Sequence, residues 1–358
     1  MKKRLLLILL VLLMPLSSII ARPQGEVAEA PPAPSVRVFT DSVGRSVEFS
    51  QPITSVAVSG PLAQITVFAI APEKLVGLSS RWTREAERYI HKTYYDLPEL
   101  GQLYGGKGQL NLETLLSSGA QVVIDVGEPK ATIREDMDSL QKQTGIPFVH
   151  ITGTLATMDD AYRKLGELLE MPDEAEALAT FIRRVYDRAV EISGNVEKRS
   201  LLYCLGDQGL NVIAKGSFHA ELIDLLGDNQ AVVASPSSRG TGNEVDMEQL
   251  YLWNPEVIIF DAGSVYNAVS SDPMWRKLDA IRAGRYYEVP FGPYNWMGSP
   301  PGVQRYLGML WLTKILYPEA ATYDLHAETA EYFRLFYHSE LTERQFDELM
   351  AGSPGLKR

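Results

Sequence analysis

NLETLLSSGAQVVID at 111–125 and DMEQLYLWNPEVIIF at 246–260 read as one pattern used twice. Each opens on a residue suited to cap a helix, Asn111 or Asp246, whose side-chain oxygen can accept from a free N–H of the first turn. An apolar residue follows, then Glu113 or Glu248, placed in the first turn where the helix dipole favours a carboxylate. A short helix, a break and an apolar run of buried-strand character complete both units. The two copies lie 135 residues apart. That is far beyond the period of a solenoid, so the pattern implies two similar lobes. A looser correspondence joins the strand, Gly-containing loop and helix at 55–70 with those at 200–227.

Outward from these units, MPDEAEALATFIRRVYDRAVEISG (171–194) separates the two halves. Its apolar residues, from Ala175 to Ile192, recur at steps of three or four, the period of a helix. Pro172 suits the first turn and Gly194 the stop. About 22 helical residues span about 33 Å, enough to cross from one lobe to the other. In the first half, FTDSVGRSVEFS (39–50) predicts a hairpin turning at Val43–Gly44–Arg45. SVAVSG (55–60) predicts a strand, Leu62 to Ile70 a helix, and LVGLSS (75–80) a further strand. This βαβ alternation points to parallel sheets and an α/β fold. Residues 36–170 form the N-terminal lobe, 171–194 the interlobe helix, and 195–358 the C-terminal lobe. Two helices are expected in the charged, amphipathic tail from 320 on, packed on the C-terminal lobe.

The chain of 358 residues carries a net charge of −11, which argues against nucleic acid as a partner. Its start reads as a secretory signal peptide over 1–21: Lys2, Lys3 and Arg4 precede the apolar run Leu5–Leu13. Residues 5–21 are at the short edge for a membrane span. Cleavage is expected near Ala21, and the Pro- and Ala-rich 22–35 reads as a tether. The single cysteine, Cys204, sits in an apolar run and reads as a small buried hydrophobe. With no cysteine beside the signal, a lipid-anchored form is not expected. The expectation is a periplasmic monomer.

The order of these features carries a family likeness. A signal peptide, the DSVGRSVEF hairpin, the NLE helix and strand, TGIPFVHI (144–151), the long helix and RAGRYYEVP (282–290) resemble the ABC-importer binding proteins for iron–siderophore, haem and cobalamin. PYNWMGSPPGVQRYLGMLWLTKILYPE (293–319) is similar to the C-terminal segment of iron-chelate members and of some oxyanion-binding relatives. The resemblance covers most of 36–320. It implies two Rossmann-like lobes joined by one long α-helix, a ligand cleft between the lobes, and little hinge closure. It also implies one exposed glutamate per lobe docking on arginines of a membrane permease dimer, and Glu113 and Glu248 occupy the matching positions. The reading of the residues alone is that both glutamates stabilise helix starts.

Ligands of such lobes sit off the carboxyl ends of strands. The loops there offer Arg81 and Trp82, Tyr104 in the Gly-rich GQLYGGKG (101–108) with Lys107 beside it, Arg239, Tyr266, Tyr294 and Trp296. Aromatics give flat contact area and arginines a fork for anionic groups, a mix that suits a bulky, partly anionic metal chelate. Gly105–Gly106 would allow close backbone approach to a ligand. The five histidines show no metal-ligand spacing, so any metal is expected to arrive already chelated, with no resident cofactor. A haem ligand from Tyr104, Tyr294 or His91 stays open. No G-x-S-x-G elbow, P-loop or H-E-x-x-H occurs, and an enzyme is not expected. Ferric siderophore is the first-choice ligand. Haem, cobalamin and molybdate or tungstate are the alternatives, and a ligand-sensing module is the alternative of another class.

Overall fold

The computed structural model describes residues 36–104, 109–237 and 239–356. The expected signal peptide and tether, and Gly105, Gly106 and Lys107, lie outside the described residues. The described chain opens with the hairpin β1 (Arg37–Thr40) and β2 (Ser46–Phe49), paired antiparallel. Its turn is held by Asp41, whose Oδ1 accepts from the backbone N–H of Val43 and Arg45. The N-terminal lobe continues as β3 (Val56–Val58), α1 (Pro61–Ile70), α2 (Lys92–Tyr95), α3 (Leu112–Ser117), β4 (Val122–Gly127), α4 (Ile133–Thr144), β5 (Phe148–Thr152) and α5 (Met158–Leu169). Its sheet runs β3-β4-β5, all parallel. β4 is buried along its whole length, which explains its unbroken apolar sequence.

LVGLSS does not form a strand. Leu75 and Leu78 each make one isolated bridge, to Val56 and to Glu99. The reason lies in α1: Gln64 Oε1 accepts from the N–H groups of Ser79 and Ser80, so a side chain takes donors a ladder would need.

The interlobe helix α6 spans Pro172–Gly194 and buries Leu178, Ile182, Val185 and Ala189 on one face. Gly166 of α5 allows close packing against it, since a Cβ there would lie 2.4 Å from that of Ala175. Asp159 of α5 clamps the pair: its carboxylate accepts from Arg183 at 2.6 Å and from Arg163 at 2.9 Å.

The C-terminal lobe holds β6 (Ser200–Leu205), β7 (Asn211–Val212), α7 (Glu221–Leu226), β8 (Asp228–Asn229), β9 (Asn243–Glu244), α8 (Met247–Trp253), β10 (Val257–Phe260), α9 (Asp279–Arg282), β11 (Tyr286–Glu288) and α10 (Arg305–Leu316). The strand order is β11-β10-β6-β7-β9, with β8 also on β6. β6, β8, β10 and β11 are parallel; β7 runs against β6, and β9, antiparallel to β7, runs in the direction of β6 again. Cys204 is buried in β6, and burial pushes its thiol up to about 12.

The tail, α11 (Leu325–Phe336) and α12 (Glu343–Leu349), corrects the sequence expectation. It does not pack on the C-terminal lobe alone. Phe333 meets Tyr89 edge-on, Phe336 meets Tyr162, and His338 Nε2 lies 3.2 Å from Phe68 O, all in the N-terminal lobe, while Phe336 also meets Phe181 of α6. The chain then returns to the C-terminal lobe, where Gly352 O accepts from Glu288 N and Ser353 Oγ from the Trp311 indole. One apolar core therefore runs continuously through both lobes, α6 and the tail.

Candidate functional site

The carboxyl ends of β3 and β4 open onto a cleft of about 670 Å³ between the lobes. Its N-terminal wall is the turn from β3 into α1. Gly60 caps that helix, and a Cβ at Gly60 would lie 2.4 Å from Tyr104 O. Only glycine lets the 103–104 strand of chain cross the turn, where Ser59 O accepts from the N–H of Leu103. Pro61 occupies the first helical turn, where its missing N–H costs nothing, and the α1 start faces the cleft with Leu62 and Ala63.

Tyr104 forms the adjoining wall. Its hydroxyl donates to Asp136 Oδ2 at 2.7 Å, and Lys130 Nζ stands 3.9 Å from its ring centre. Burial, then the Asp136 carboxylate, pushes the phenol well above its ordinary range, so it stays protonated and donating. The same bond, with one from Thr132, holds Asp136 below the usual carboxylate range. Lys130 makes no salt bridge among the described residues. Opposite, the C-terminal lobe contributes Phe218 and His219, edge-to-face at 5.4 Å, while Pro300 and Pro301 close one end. Arg239 is exposed in the adjoining loop. Its neighbour Gly240 packs on the His219 ring, where a Cβ would come within 3.2 Å of Cε1.

Below the cleft floor lies a buried polar chain. Ser59 Oγ donates to Asp125 Oδ1, and Asp125 Oδ2 meets His150 Nδ1 at 2.7 Å. The carboxylate stands between the other two groups, so the imidazole is not placed to take a proton from the serine, as a nucleophile–base pair requires. The network fixes the strand ends instead: β3 to β4, and β4 to β5. Among the described residues no three His, Cys, Asp or Glu side chains come together as a metal site.

Of the ligand residues read from the sequence, Tyr104 lines the cleft and Arg239 stands next to its C-terminal wall. The others lie elsewhere. Trp82 is buried, with its indole N–H donated to Tyr94 O at 2.9 Å and its ring against Phe68. Tyr294 packs against Trp82 at 6.0 Å between ring centres. Trp296 is fully buried and donates to Gly292 O. Trp82 and Tyr294 meet in a closed interlobe seam beside the tail, Trp296 is buried on the same loop as Tyr294, and none of the three lines the cleft. Arg81 is exposed on a different face, paired with Glu99. Tyr266 packs among Phe260 and Tyr286 of the C-terminal lobe. Of the residues raised for haem, Tyr294 sits in that seam and His91 caps α2, 6.2 Å from the Tyr94 ring. Sequence reading passed over Lys130, Phe218 and His219. The signal for the last two was present, because GSFHAEL leads into α7 as SGPLAQI leads into α1.

Glu113 and Glu248 are both exposed in the first turns of α3 and α8. Their helices are capped alike: Asn111 Oδ1 accepts from Thr114 N at 3.0 Å, and Asp246 Oδ1 from Gln249 N at 2.8 Å. Neither glutamate side chain has a hydrogen-bond or ion-pair partner among the described residues.

A family model described as periplasmic binding protein matches residues 75–292. Among solved structures, the chain is similar to an ABC transporter solute binding protein from Sulfurospirillum deleyianum, with 26% identity and a TM-score of 0.80 over 88% of this chain and 99% of that one. A periplasmic solute binding protein from Veillonella parvula shares 24% identity at a TM-score of 0.73, over 89% of this chain and 98% of the other. The molybdate periplasmic binding protein MolA of Haemophilus influenzae, bound to molybdate, shares 19% identity at 0.63, over 86% and 99%. The last two likenesses are of fold. Nothing among curated proteins matches.

Proposed function

The chain belongs to the family of periplasmic binding proteins, the solute-binding components of ABC transporters, and we propose that it captures a metal chelate with anionic oxygens, a ferric siderophore first among them. The observation that carries the proposal is the cleft: about 670 Å³, lined by Lys130 and Tyr104 from one lobe and by Phe218 and His219 from the other, with Arg239 exposed in the adjoining loop. Ligand cavities for drug-sized molecules run roughly 300–1,000 Å³, and a tetrahedral oxyanion would leave most of this one empty. Lys130 and Arg239, neither in a salt bridge among the described residues, together with the positive end of α1 favour negative charge on the ligand. Tyr104 and Phe218 give it flat apolar contact. With no cluster of metal-binding side chains among the described residues, the metal would enter with its own chelator.

In this reading residues 1–21 direct export to the periplasm. Glu113 and Glu248 then present one carboxylate per lobe to a two-fold permease, setting register and association rate. No helix among the described residues is long and apolar enough to cross a membrane.

Molybdate is the second reading, favoured by the α1 start facing the cleft. Native mass spectrometry with a visible absorption scan separates the two. Purified protein is offered ferric hydroxamate and catecholate siderophores, haemin, cobalamin and molybdate. One-to-one, saturable capture of a coloured chelate is the expected result. Capture of molybdate alone would replace the chelate with an oxyanion, and capture of nothing in the panel would remove the metal-chelate reading.

A further inference from the structure

We infer that a leucine beside each exposed glutamate, Leu116 on the N-terminal lobe and Leu252 on the C-terminal lobe, is an apolar anchor for the membrane permease. The inference rests on the docking role proposed for Glu113 and Glu248. Leu116 and Leu252 are 53% and 80% exposed, the two leucines left largely in water among the described residues. Both stand on a docking helix: Leu116 follows Glu113 by three positions, and Leu252 follows Glu248 by four. Those spacings place leucine and carboxylate on one helix face. Half-exposed Met274 extends the second patch, because its carbonyl accepts from the Tyr251 hydroxyl on α8 at 2.9 Å.

The repeat does not account for these leucines. In the aligned units Leu116 stands opposite Tyr251, and Leu252 opposite Ser117. Each lobe has thus reached the same pairing, an unpaired carboxylate next to an exposed leucine, from a different position. That points to a demand of the surface and not to the ancestral helix. The charges select the occupant. A second copy meeting this face across a two-fold axis would set carboxylate against carboxylate. An anionic lipid surface would repel both glutamates and a chain of net charge −11. A permease pair offering a cation beside an apolar recess, twice, fits both lobes at once. Peripheral charges act mainly on association, whereas buried apolar anchors act on dissociation.

The test measures binding of the full chain to the permease–ATPase complex of its importer in nanodiscs, by surface kinetics at two salt concentrations. Leu116→Ser and Leu252→Ser should each speed dissociation about tenfold. Association, its salt dependence and the melting temperature should stay as in the wild type. Glu113→Gln with Glu248→Gln should instead slow association and flatten its salt dependence. A wild-type dissociation rate in the double leucine variant overturns the anchor. If the glutamate pair is affected in that case, docking stands without it; if neither pair changes the complex, the docking reading falls as well.

Discussion

The cleft and the seam both lie where the two lobes meet, and both carry aromatic side chains from loops at strand ends. They differ in what covers them. The seam holds Trp82, Tyr294 and Trp296 under the tail: Phe68 packs edge-on against both Trp82 and His338, and Leu349 lies against Gly292. Each indole N–H there is satisfied by a backbone carbonyl. In the cleft, Tyr104 is half-buried and Phe218 exposed, and Lys130 and Arg239 make no salt bridge among the described residues. An aromatic residue in a loop therefore reports a place where lobes meet; whether it is covered is decided by a distant segment, the tail. The tail also joins the lobes into one core.

The sharpest way to break this contrast is to cut the seam. Trp296→Ala should cost about 3–5 kcal/mol of stability, seen as a lower urea midpoint. A chelate bound to the folded protein should keep its affinity; loss of affinity without loss of stability would move Trp296 into the site. The α5–α6 clamp comes next. Burial works against the Asp159 charge, but Arg183 and Arg163 outweigh it and hold the carboxyl below its ordinary value. Its contribution is therefore present above the unfolded carboxyl pKa and is lost as pH falls through the depressed folded value. Asp159→Asn should destabilise by about 1–3 kcal/mol at neutral pH, with the gap to wild type shrinking below about pH 4 in thermal melts. In the cleft the pattern should reverse. Lys130→Ala combined with Arg239→Ala should weaken chelate binding about tenfold or more by titration calorimetry, and should reduce its salt dependence. The melting temperature should barely move. The smallest effect belongs to Glu113→Gln, which should leave both melting temperature and ligand affinity unchanged.

Much of the fold was legible because its signals are local. Asn111 and Asp246 cap as their side-chain chemistry requires, and the apolar runs after them are the buried strands β4 and β10. The spacing of Leu178, Ile182, Val185 and Ala189 gives the buried face of α6. What failed was non-local. LVGLSS has strand character, yet Gln64 from a neighbouring helix takes its N–H groups. The tail is amphipathic in sequence, but nothing in that pattern says that it spans two lobes. Among the candidate ligand residues, Tyr104 was named through its glycine-rich loop, and it lines the cleft. Trp82, Tyr294 and Trp296 looked equivalent to it, because residue type and loop position are the same in seam and cleft. Lys130 was passed over because it stands in no distinctive motif, and His219 because the likeness of GSFHAEL to SGPLAQI was not followed; the fold brings the two to opposite walls.

Every member of the ligand panel carries a metal atom, so the most direct test of the cleft is the anomalous scattering of that atom in crystals of the loaded protein. The account predicts a single strong peak between Tyr104 and the Phe218–His219 pair, within reach of Lys130. A peak beside Arg81 and Glu99, or against the Trp82–Tyr294 seam, with the cleft empty, would contradict it.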